Sequence, residues 1–246
     1  MVRAVGPAPS RSRLYSVACM MAMAWPAVAG EVYFNDFNGA PGTTYPEWTS
    51  TGYRNTANRA GTVAEGSGMQ IVATAVAPKG ERFLGEFGGP LLVVAPPYDP
   101  QHFIRVDETV TLMLRHLPPH TKATVSFDLY ILKSWDGNNP IYGPDRWSLS
   151  VNGGPVLLDT TFSNNPKTGR DLSQQDYPVA NSAHHTGTAT VNTLGYTFYG
   201  DSTYRLTFHF AHTGETLALN FSSTLVEGKG LNDESWGLDN VRVSVP

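Results

Sequence analysis

Apolar and polar residues alternate along several stretches of this chain. The clearest is ATVSFDLYIL (residues 123–132), where one parity is apolar: Val125, Phe127, Leu129 and Ile131. Because successive side chains of a β-strand point to opposite faces, this pattern predicts a strand with one buried face. The same alternation marks TVTLMLRHL (109–117), DRWSLSVNGG (145–154), TYRLTFHFAHT (203–213), TLALNFSSTL (216–225) and WGLDNVRVSV (236–245).

No segment shows convincing helical periodicity, and 24 glycines and 18 prolines interrupt the chain throughout. Such punctuation is typical of a turn-rich all-β protein. A length of 246 residues suits one large β domain or two small ones, and no linker is visible between residues 30 and 246. We therefore predict an all-β fold with a single antiparallel β-sandwich domain at residues 30–246.

Residues 1–29 have the composition of a secretory signal peptide. Three arginines (Arg3, Arg11 and Arg13) precede the apolar LYSVACMMAMAW, and residues 27–29 (AVA) form a cleavage signal of small residues. A membrane anchor is the alternative, but about a dozen apolar residues fall short of the roughly 20 that a spanning helix needs. We therefore expect a secreted protein, extracellular or periplasmic, that is not inserted in a membrane once the leader is cleaved.

Removal of this leader would change both the charge and the cysteine content. The chain has 17 basic and 21 acidic residues, and without the three leader arginines 14 basic residues remain, a net charge of −7. The single cysteine, Cys19, also lies in the leader, so the exported domain would depend on its core, helped by a bound metal, rather than on a disulfide. The acidic balance, without a lysine or arginine cluster, argues against nucleic acid and anionic membrane surfaces.

Two sets of segments resemble known families. LPPHTKATVSFDLYILKSWDGN and DRWSLSVNGGPVLLDTTFSN, with the closing DESWGLDNVRV, resemble secreted jelly-roll domains of bacterial and protist surface proteins. More distantly, VYFNDFNG and GLDNVRV are similar to the ends of MAM-type and laminin-G-like domains, which are concanavalin-like sandwiches. The resemblance implies a jelly roll whose first and last strands pair, a structural calcium near those ends, and a role in adhesion or glycan binding. Animal MAM domains contain disulfides, and this chain departs from them in that respect.

Asp239 is a candidate metal ligand at the start of the last predicted strand. It shares the parity of Val241 and Val243, which predicts that it leans toward the core. An ionised carboxylate there is costly unless it is paired or binds a cation. Asp36, after the first strand, is its companion if the terminal strands pair, with backbone carbonyls completing the six to eight oxygens that Ca²⁺ takes. The alternative is a structural carboxylate satisfied by hydrogen bonds.

The loop SWDGNNPIYGPD (residues 134–145) is a second candidate calcium site. Asp136, Asn138 and Asp145 supply hard oxygen ligands, although the glycine and glutamate spacing of an EF-hand is absent. The alternative is a network of Asx turns that only shapes the loop. Asp233 and Glu234 could contribute to either site or face water.

Aromatic residues around the same loop suggest a sugar-binding surface. Trp135, Tyr142 and Trp236 are candidate ligand-binding residues, because aromatic rings stack on the apolar faces of sugar rings. Trp147 shares its parity with Leu149, so we assign it to the core instead.

Signatures of several enzyme classes are missing from the sequence, including G-x-S-x-G, H-E-x-x-H, and the phosphate and dinucleotide loops. The sequence therefore favours a secreted, non-catalytic, calcium-binding β-sandwich whose partner is an extracellular glycan or a surface protein. One alternative is a glycoside hydrolase or lyase on the same scaffold, because a catalytic carboxylate pair can come from distant strands. Another is a structural envelope or matrix component that binds neither sugar nor metal.

Overall fold

The computed structural model describes residues 30–56, 67–68, 72–89, 105–166, 173–226 and 230–246. The predicted leader at residues 1–29 lies outside this part of the chain. Within these ranges the regular structure consists of thirteen β-strands and one 3-10 turn at Gly230–Asn232. None of the helical structure in these ranges is long and apolar enough to cross a membrane.

The strands form two antiparallel sheets. Sheet 1 contains β1 (Gly30–Asn35), β4 (Thr74–Val76), β5 (Arg82–Phe87), β7 (Lys122–Lys133), β10 (Thr190–Val191), β11 (Asp201–Ala211) and β13 (Glu234–Val245). Sheet 2 contains β2 (Trp48–Thr56), β3 (Ser67–Gly68), β6 (Arg105–Arg115), β8 (Arg146–Val151), β9 (Val156–Thr161) and β12 (Thr216–Leu225). The order across sheet 1 is β10-β11-β7-β13-β5-β4, and across sheet 2 it is β3-β2-β6-β12-β8-β9.

The first and last strands pair, as the family resemblance implies. Strand β1 runs antiparallel to β13, with Gly30 opposite Val245 and Asn35 opposite Val241. Strand β13 also pairs with β7 on its other side and with β5 beyond the end of β1. The prediction of an all-β, antiparallel β-sandwich is confirmed.

The main core lies between the two sheets and is rich in aromatic rings. Phe127 on β7 faces Phe221 on β12 and Trp147 on β8, with ring centroids 5.4 Å and 5.8 Å away. All three rings are buried, which confirms the prediction that Trp147 is a core residue. The alternating apolar residues therefore interdigitate across the sandwich, as expected for facing sheets.

Strand β13 changes parity at Asn240, and this change places Asp239 on the outer face of sheet 1. Trp236 and Leu238 pack in the main core before this point, and Val241 packs there after it. The register with β7 shifts just after Asp239, and Asn240 adopts a left-handed φ of 51°, which asparagine tolerates better than most residues. An extra residue in a strand is a β-bulge and exchanges the faces beyond it. The prediction that Asp239 leans toward the core is therefore wrong, because the parity of Val241 does not extend through a bulge.

A smaller apolar cluster lies on the outer side of sheet 1. Its buried members are Ala77, Phe83, Tyr130, Leu132 and Leu194. The β4–β5 turn and the loop between β10 and β11 meet above it, where the Lys79 backbone N–H donates to the Leu194 carbonyl over 3.0 Å. Part of the outer face of sheet 1 is therefore roofed by these two connections.

We expect Phe221→Ala to lower the free energy of unfolding by about 3–5 kcal/mol, because the ring is fully buried and its removal leaves a cavity. Its ring packs against Trp48, Phe127 and Trp147 at centroid distances of 5.5, 5.4 and 6.2 Å. Urea unfolding measures the change. The matched control is Val179→Ala, whose side chain is 68% exposed and should change stability by less than about 0.5 kcal/mol. Equal losses in the two variants would contradict this assignment of the core.

Candidate metal centre

The loop between β7 and β8 folds back on itself and brings its two aspartates together. The Asp136 backbone N–H donates to the Asp145 carboxylate over 2.5 Å, and the Asp145 N–H donates to the Gly137 carbonyl over 2.9 Å. Gly137 has a φ of 59°, and a Cβ there would lie 2.2 Å from the Gln174 carbonyl oxygen, so only glycine fits. Asn139 supports the next turn, because its side-chain oxygen accepts from two following backbone N–H groups, at 2.8 and 3.0 Å.

Glu234 joins these aspartates from strand β13. It is the first residue of the strand and has the same parity as Trp236 and Leu238, so its side chain is directed inward. One carboxylate oxygen from each of Asp136, Asp145 and Glu234 lies within 4.8 Å of the others, and all three residues are buried. Three acidic side chains from two separate parts of the chain therefore converge at one end of the sandwich.

Buried carboxylates in such a group oppose one another's ionisation. Burial raises the pKa of Asp145 well above its ordinary range, and the neighbouring charge of Asp136 raises it further. Donors offset part of this cost: Val226 N–H lies 3.3 Å from Asp145 Oδ1, and Asp136 Oδ1 accepts from Ser173 Oγ over 3.1 Å and from the Asn165 side-chain amide. The remaining cost can be removed by a proton or by a cation.

The donor set fits calcium better than zinc. The carboxylate oxygens lie within 4.8 Å of one another, so one ion could contact all three residues. The group contains neither histidine nor cysteine, which are the usual ligands of zinc. Asp136, Asp145 and Glu234 would hold the ion, and the neighbouring amide and hydroxyl oxygens of the loop could complete its coordination.

Asn138 does not join this group, although the sequence placed it among the metal ligands. Its side-chain amide donates to Asp176 Oδ1 over 2.6 Å, and its oxygen accepts from Thr161 Oγ1 over 2.6 Å. The side chain therefore ties the loop to β9 and to the segment around Asp176. The alternative prediction of a loop-shaping side-chain network describes Asn138, while Asp136 and Asp145 come together as predicted.

Asp36 and Asp239 have separate hydrogen-bond partners. Asp36 is partly exposed, and hydrogen bonds from the Asn38 side chain and from the Asn38 N–H, the latter 3.3 Å long, lower its pKa. Asp239 is only 3% exposed and accepts from Tyr130 Oη at 2.9 Å and from the Asn240 N–H at 2.7 Å. Burial raises the pKa of Asp239 to about 7. These partners agree with the alternative of a satisfied structural carboxylate, since the bulge turns Asp239 toward Tyr130. A calcium ion shared by Asp36 and Asp239 stays a prediction.

Two of the three predicted sugar-binding aromatic residues are inaccessible. Trp135 and Trp236 are fully buried in the main core. The Trp135 indole N–H donates to the Ser235 carbonyl over 2.8 Å, and that of Trp236 donates to Ser223 Oγ over 2.9 Å. Both indoles therefore satisfy their polar atom inside the protein, and the prediction that they stack on a sugar is wrong. Tyr142 stays partly exposed on the loop.

Glu108 is a buried acid that the sequence reasoning missed. It lies on β6 at the inward parity of Val106 and Val110 and is almost completely buried. Its Oε2 accepts from the Gly88 N–H over 2.7 Å, and its Oε1 has no hydrogen-bond partner among the described residues. Burial raises the pKa of Glu108 to about 7. The sequence does contain a signal for Glu108. If the strand predicted at residues 109–117 is extended toward the N-terminus, Glu108 occupies a position where the alternating pattern has apolar residues.

The fold and these side chains define an antiparallel β-sandwich with a buried acidic centre at one end. No protein-family model and no curated protein matches the chain. One solved structure with some similarity is dimeric latent PorU from Porphyromonas gingivalis, with 14% identity and a TM-score of 0.33. The match includes 86% of this chain but only 14% of the PorU chain.

Two further structures are matched over most of their length. The K2 cleaved adhesin domain of Lys-gingipain has 11% identity and a TM-score of 0.35, with 87% of this chain and 98% of that chain covered. The Stig cyclase Fisc from Fischerella sp. TAU has 16% identity and a TM-score of 0.29, with 87% and 89% covered. Similarity at this level does not transfer a function, so the function is argued from the residues of this chain.

We expect Glu108 to make the protein less stable at pH 8 than at pH 5. Its pKa rises from 4.5 to about 7 on folding, so the folded state keeps a proton that the unfolded chain releases at lower pH. This stabilisation is complete below pH 4.5 and is lost as the pH rises through 7. Glu108→Gln imitates the neutral carboxyl, and should equal the original protein near pH 5 and exceed it in stability at pH 8. Urea unfolding in chelator at several pH values measures both curves.

The matched control for this experiment is Glu215→Gln, because Glu215 is exposed. Its stability should decline with pH as steeply as that of the original protein. An equally steep decline in Glu108→Gln would contradict the role of the buried carboxyl.

Proposed function

We propose that this protein is a secreted, non-catalytic β-sandwich that binds Ca²⁺ and serves surface adhesion or glycan recognition. The observation that carries the proposal is the convergence of Asp136, Asp145 and Glu234, three buried carboxylates within 4.8 Å of one another. A cation bound among them would balance their negative charge, and Ca²⁺ takes carboxylate oxygens as ligands.

Because the three carboxylates are buried, a cation bound to them would stabilise the folded state. Separating several like charges from water is unfavourable, and the cost grows when no opposite charge lies nearby. A cation bound among the three carboxylates would offset this cost.

An extracellular setting agrees with the composition of the chain. The predicted leader would direct export, and the exported domain would contain no cysteine to form a disulfide. Extracellular calcium is plentiful enough to saturate sites of modest affinity, with dissociation constants of about 10⁻⁴–10⁻³ M. Bound calcium would then supply stability that a disulfide supplies in many secreted domains.

A hydrolase is less well supported by the carboxylates on sheet 1. Asp128 and Asp239 lie directly opposite each other on β7 and β13, so they are the natural pair to consider. A glycosidase needs both carboxyl groups at the scissile bond, one on each side. Asp239 is almost completely buried and its oxygens are occupied by Tyr130 and Asn240, which argues against a substrate between the two acids.

We expect Ca²⁺ to raise the melting temperature and excess EGTA to reverse the effect. An ion present at 100 times its dissociation constant adds about 2.7 kcal/mol to the free energy of unfolding. Asp145→Asn should abolish this response. In EGTA the same variant should be at least as stable as the original protein, because it removes a charge that is costly without the ion. Differential scanning calorimetry with and without calcium measures both effects.

The matched control is Asp36→Asn, which removes a carboxylate outside the proposed centre. It should keep the full calcium response, since Asp36 is bonded only to its own turn. A calcium response that is lost in Asp36→Asn and kept in Asp145→Asn would place the ion at Asp36 and not at the buried acidic group. If calcium does not raise the melting temperature of the original protein or of Asp36→Asn, calcium binding is refuted.

A further inference from the structure

A polar depression of about 420 Å³ opens on the outer face of sheet 1. Its main polar groups are Lys79, Glu81, Asp128, Thr203, Arg205 and Asn240, with Tyr130 at its floor. The site is separate from the metal centre, whose acids lie between the sheets. Its volume falls within the range of about 300–1,000 Å³ that is usual for small-molecule sites.

Donors and acceptors stand side by side in this depression. Asp128 lies on the floor with a side chain 14% exposed, while the Arg205 side chain beside it is 73% exposed. Their ion pair is loose, at 3.4 Å from Nε to Oδ1, so the guanidinium keeps free N–H groups directed to solvent. The Asn240 amide donates to Asp128 over 3.0 Å and to the buried Asp239 over 3.1 Å, which fixes the orientation of both acceptors.

The charges of the lining balance. Lys79 and Arg205 contribute two positive charges, and Glu81 and Asp128 contribute two negative charges. A strongly anionic ligand would meet the carboxylates, and a strongly cationic ligand would meet the basic groups, so neither gains a complementary field. A neutral molecule with many hydroxyl groups can use all four, because each hydroxyl both donates and accepts.

The walls are held in place before any ligand binds. The buried carboxylate of Asp201 accepts four backbone N–H groups of the loop that follows β10, from residues 193, 194, 195 and 196, at 2.8–3.3 Å. Lys79 links the opposite wall to this loop through its backbone N–H and through its ammonium group, 3.3 Å from the Asn192 carbonyl. A preformed wall lowers the entropy that a ligand must overcome on binding.

We propose that this depression is the saccharide-binding site and that it takes a neutral sugar. The inference rests on the proposed glycan recognition and assigns it to a particular face. Asp128 and Glu81 accept hydrogen bonds from sugar hydroxyls, while Arg205, Lys79 and the threonine hydroxyls donate to them. Charged side chains make stronger hydrogen bonds than neutral ones, so these four side chains contribute most of the affinity, and Asp128 and Arg205 lie closest together among them.

The depression on sheet 2 provides a matched control. It contains the ion pair of Arg146 and Asp159, which resembles Arg205 and Asp128 in composition. In that pair the two side chains are exposed and bonded to each other over 2.7 Å, which is a closer ion pair than Arg205 with Asp128. Removing one charge there changes the net charge of the protein equally without touching sheet 1.

The test uses a glycan array that carries neutral, sialylated and sulfated oligosaccharides, followed by calorimetric titration with the best-bound neutral sugar. We expect a neutral sugar to bind, and Asp128→Asn and Arg205→Met each to weaken it at least about tenfold. Asp159→Asn and Arg146→Met should stay within about twofold of the original affinity. Arg205 is largely exposed, so Arg205→Met decides the outcome if Asp128→Asn proves unstable.

The possible failures are distinct. If a neutral sugar binds with unchanged affinity in Arg205→Met, or loses affinity only in the sheet 2 variants, the assignment of this site is wrong while glycan recognition stands. If only sialylated or sulfated glycans bind, the neutral ligand class is wrong. If no glycan binds, both this inference and the glycan part of the proposed function fall, whereas the calcium response is measured separately.

Discussion

Strand β13 hydrogen-bonds to β1, β5 and β7, and its bulge at Asn240 decides which face each of its acidic residues reaches. Before the bulge, Glu234, Trp236 and Leu238 point inward, so the strand contributes one carboxylate to the buried acidic group and two large side chains to the core. At the bulge, Asp239 turns outward beneath Tyr130. A regular strand could not place Asp239 outside and Val241 inside, because side chains two residues apart share a face.

The parts of the structure that follow a simple period were predictable from the sequence. Strand β7 alternates without interruption, so its buried residues and its antiparallel partners follow from parity. Asp136 and Asp145 could be paired because turn residues close the loop between them. Trp135 could not be placed, because whether an indole at a strand end turns inward depends on a distant carbonyl, here that of Ser235. Asp239 was assigned to the wrong face because the left-handed conformation of Asn240 reverses which parity of β13 points inward.

The core and the buried acidic group constrain each other through the start of β13. Trp236 lies two positions after Glu234 and packs against Phe87 and Trp147, at 4.7 and 6.0 Å between centroids. Close-packed side chains leave little freedom for the backbone, so the start of β13 holds Glu234 in place whether or not an ion is bound. The acidic group is therefore preorganised. Its free-energy cost comes from burying charged carboxylates and not from ordering the chain. A bound cation removes that cost without requiring the fold to change.

The two candidate sites share strands β7 and β13, although they open on different sides. Strand β7 carries Asp128 and Tyr130 in its middle and continues directly into the loop that contains Asp136. Strand β13 carries Glu234 at its start and Asn240 at its bulge. The register between the two strands sets the spacing between Asp128 and Asn240, so both candidate sites depend on the same strand pairing.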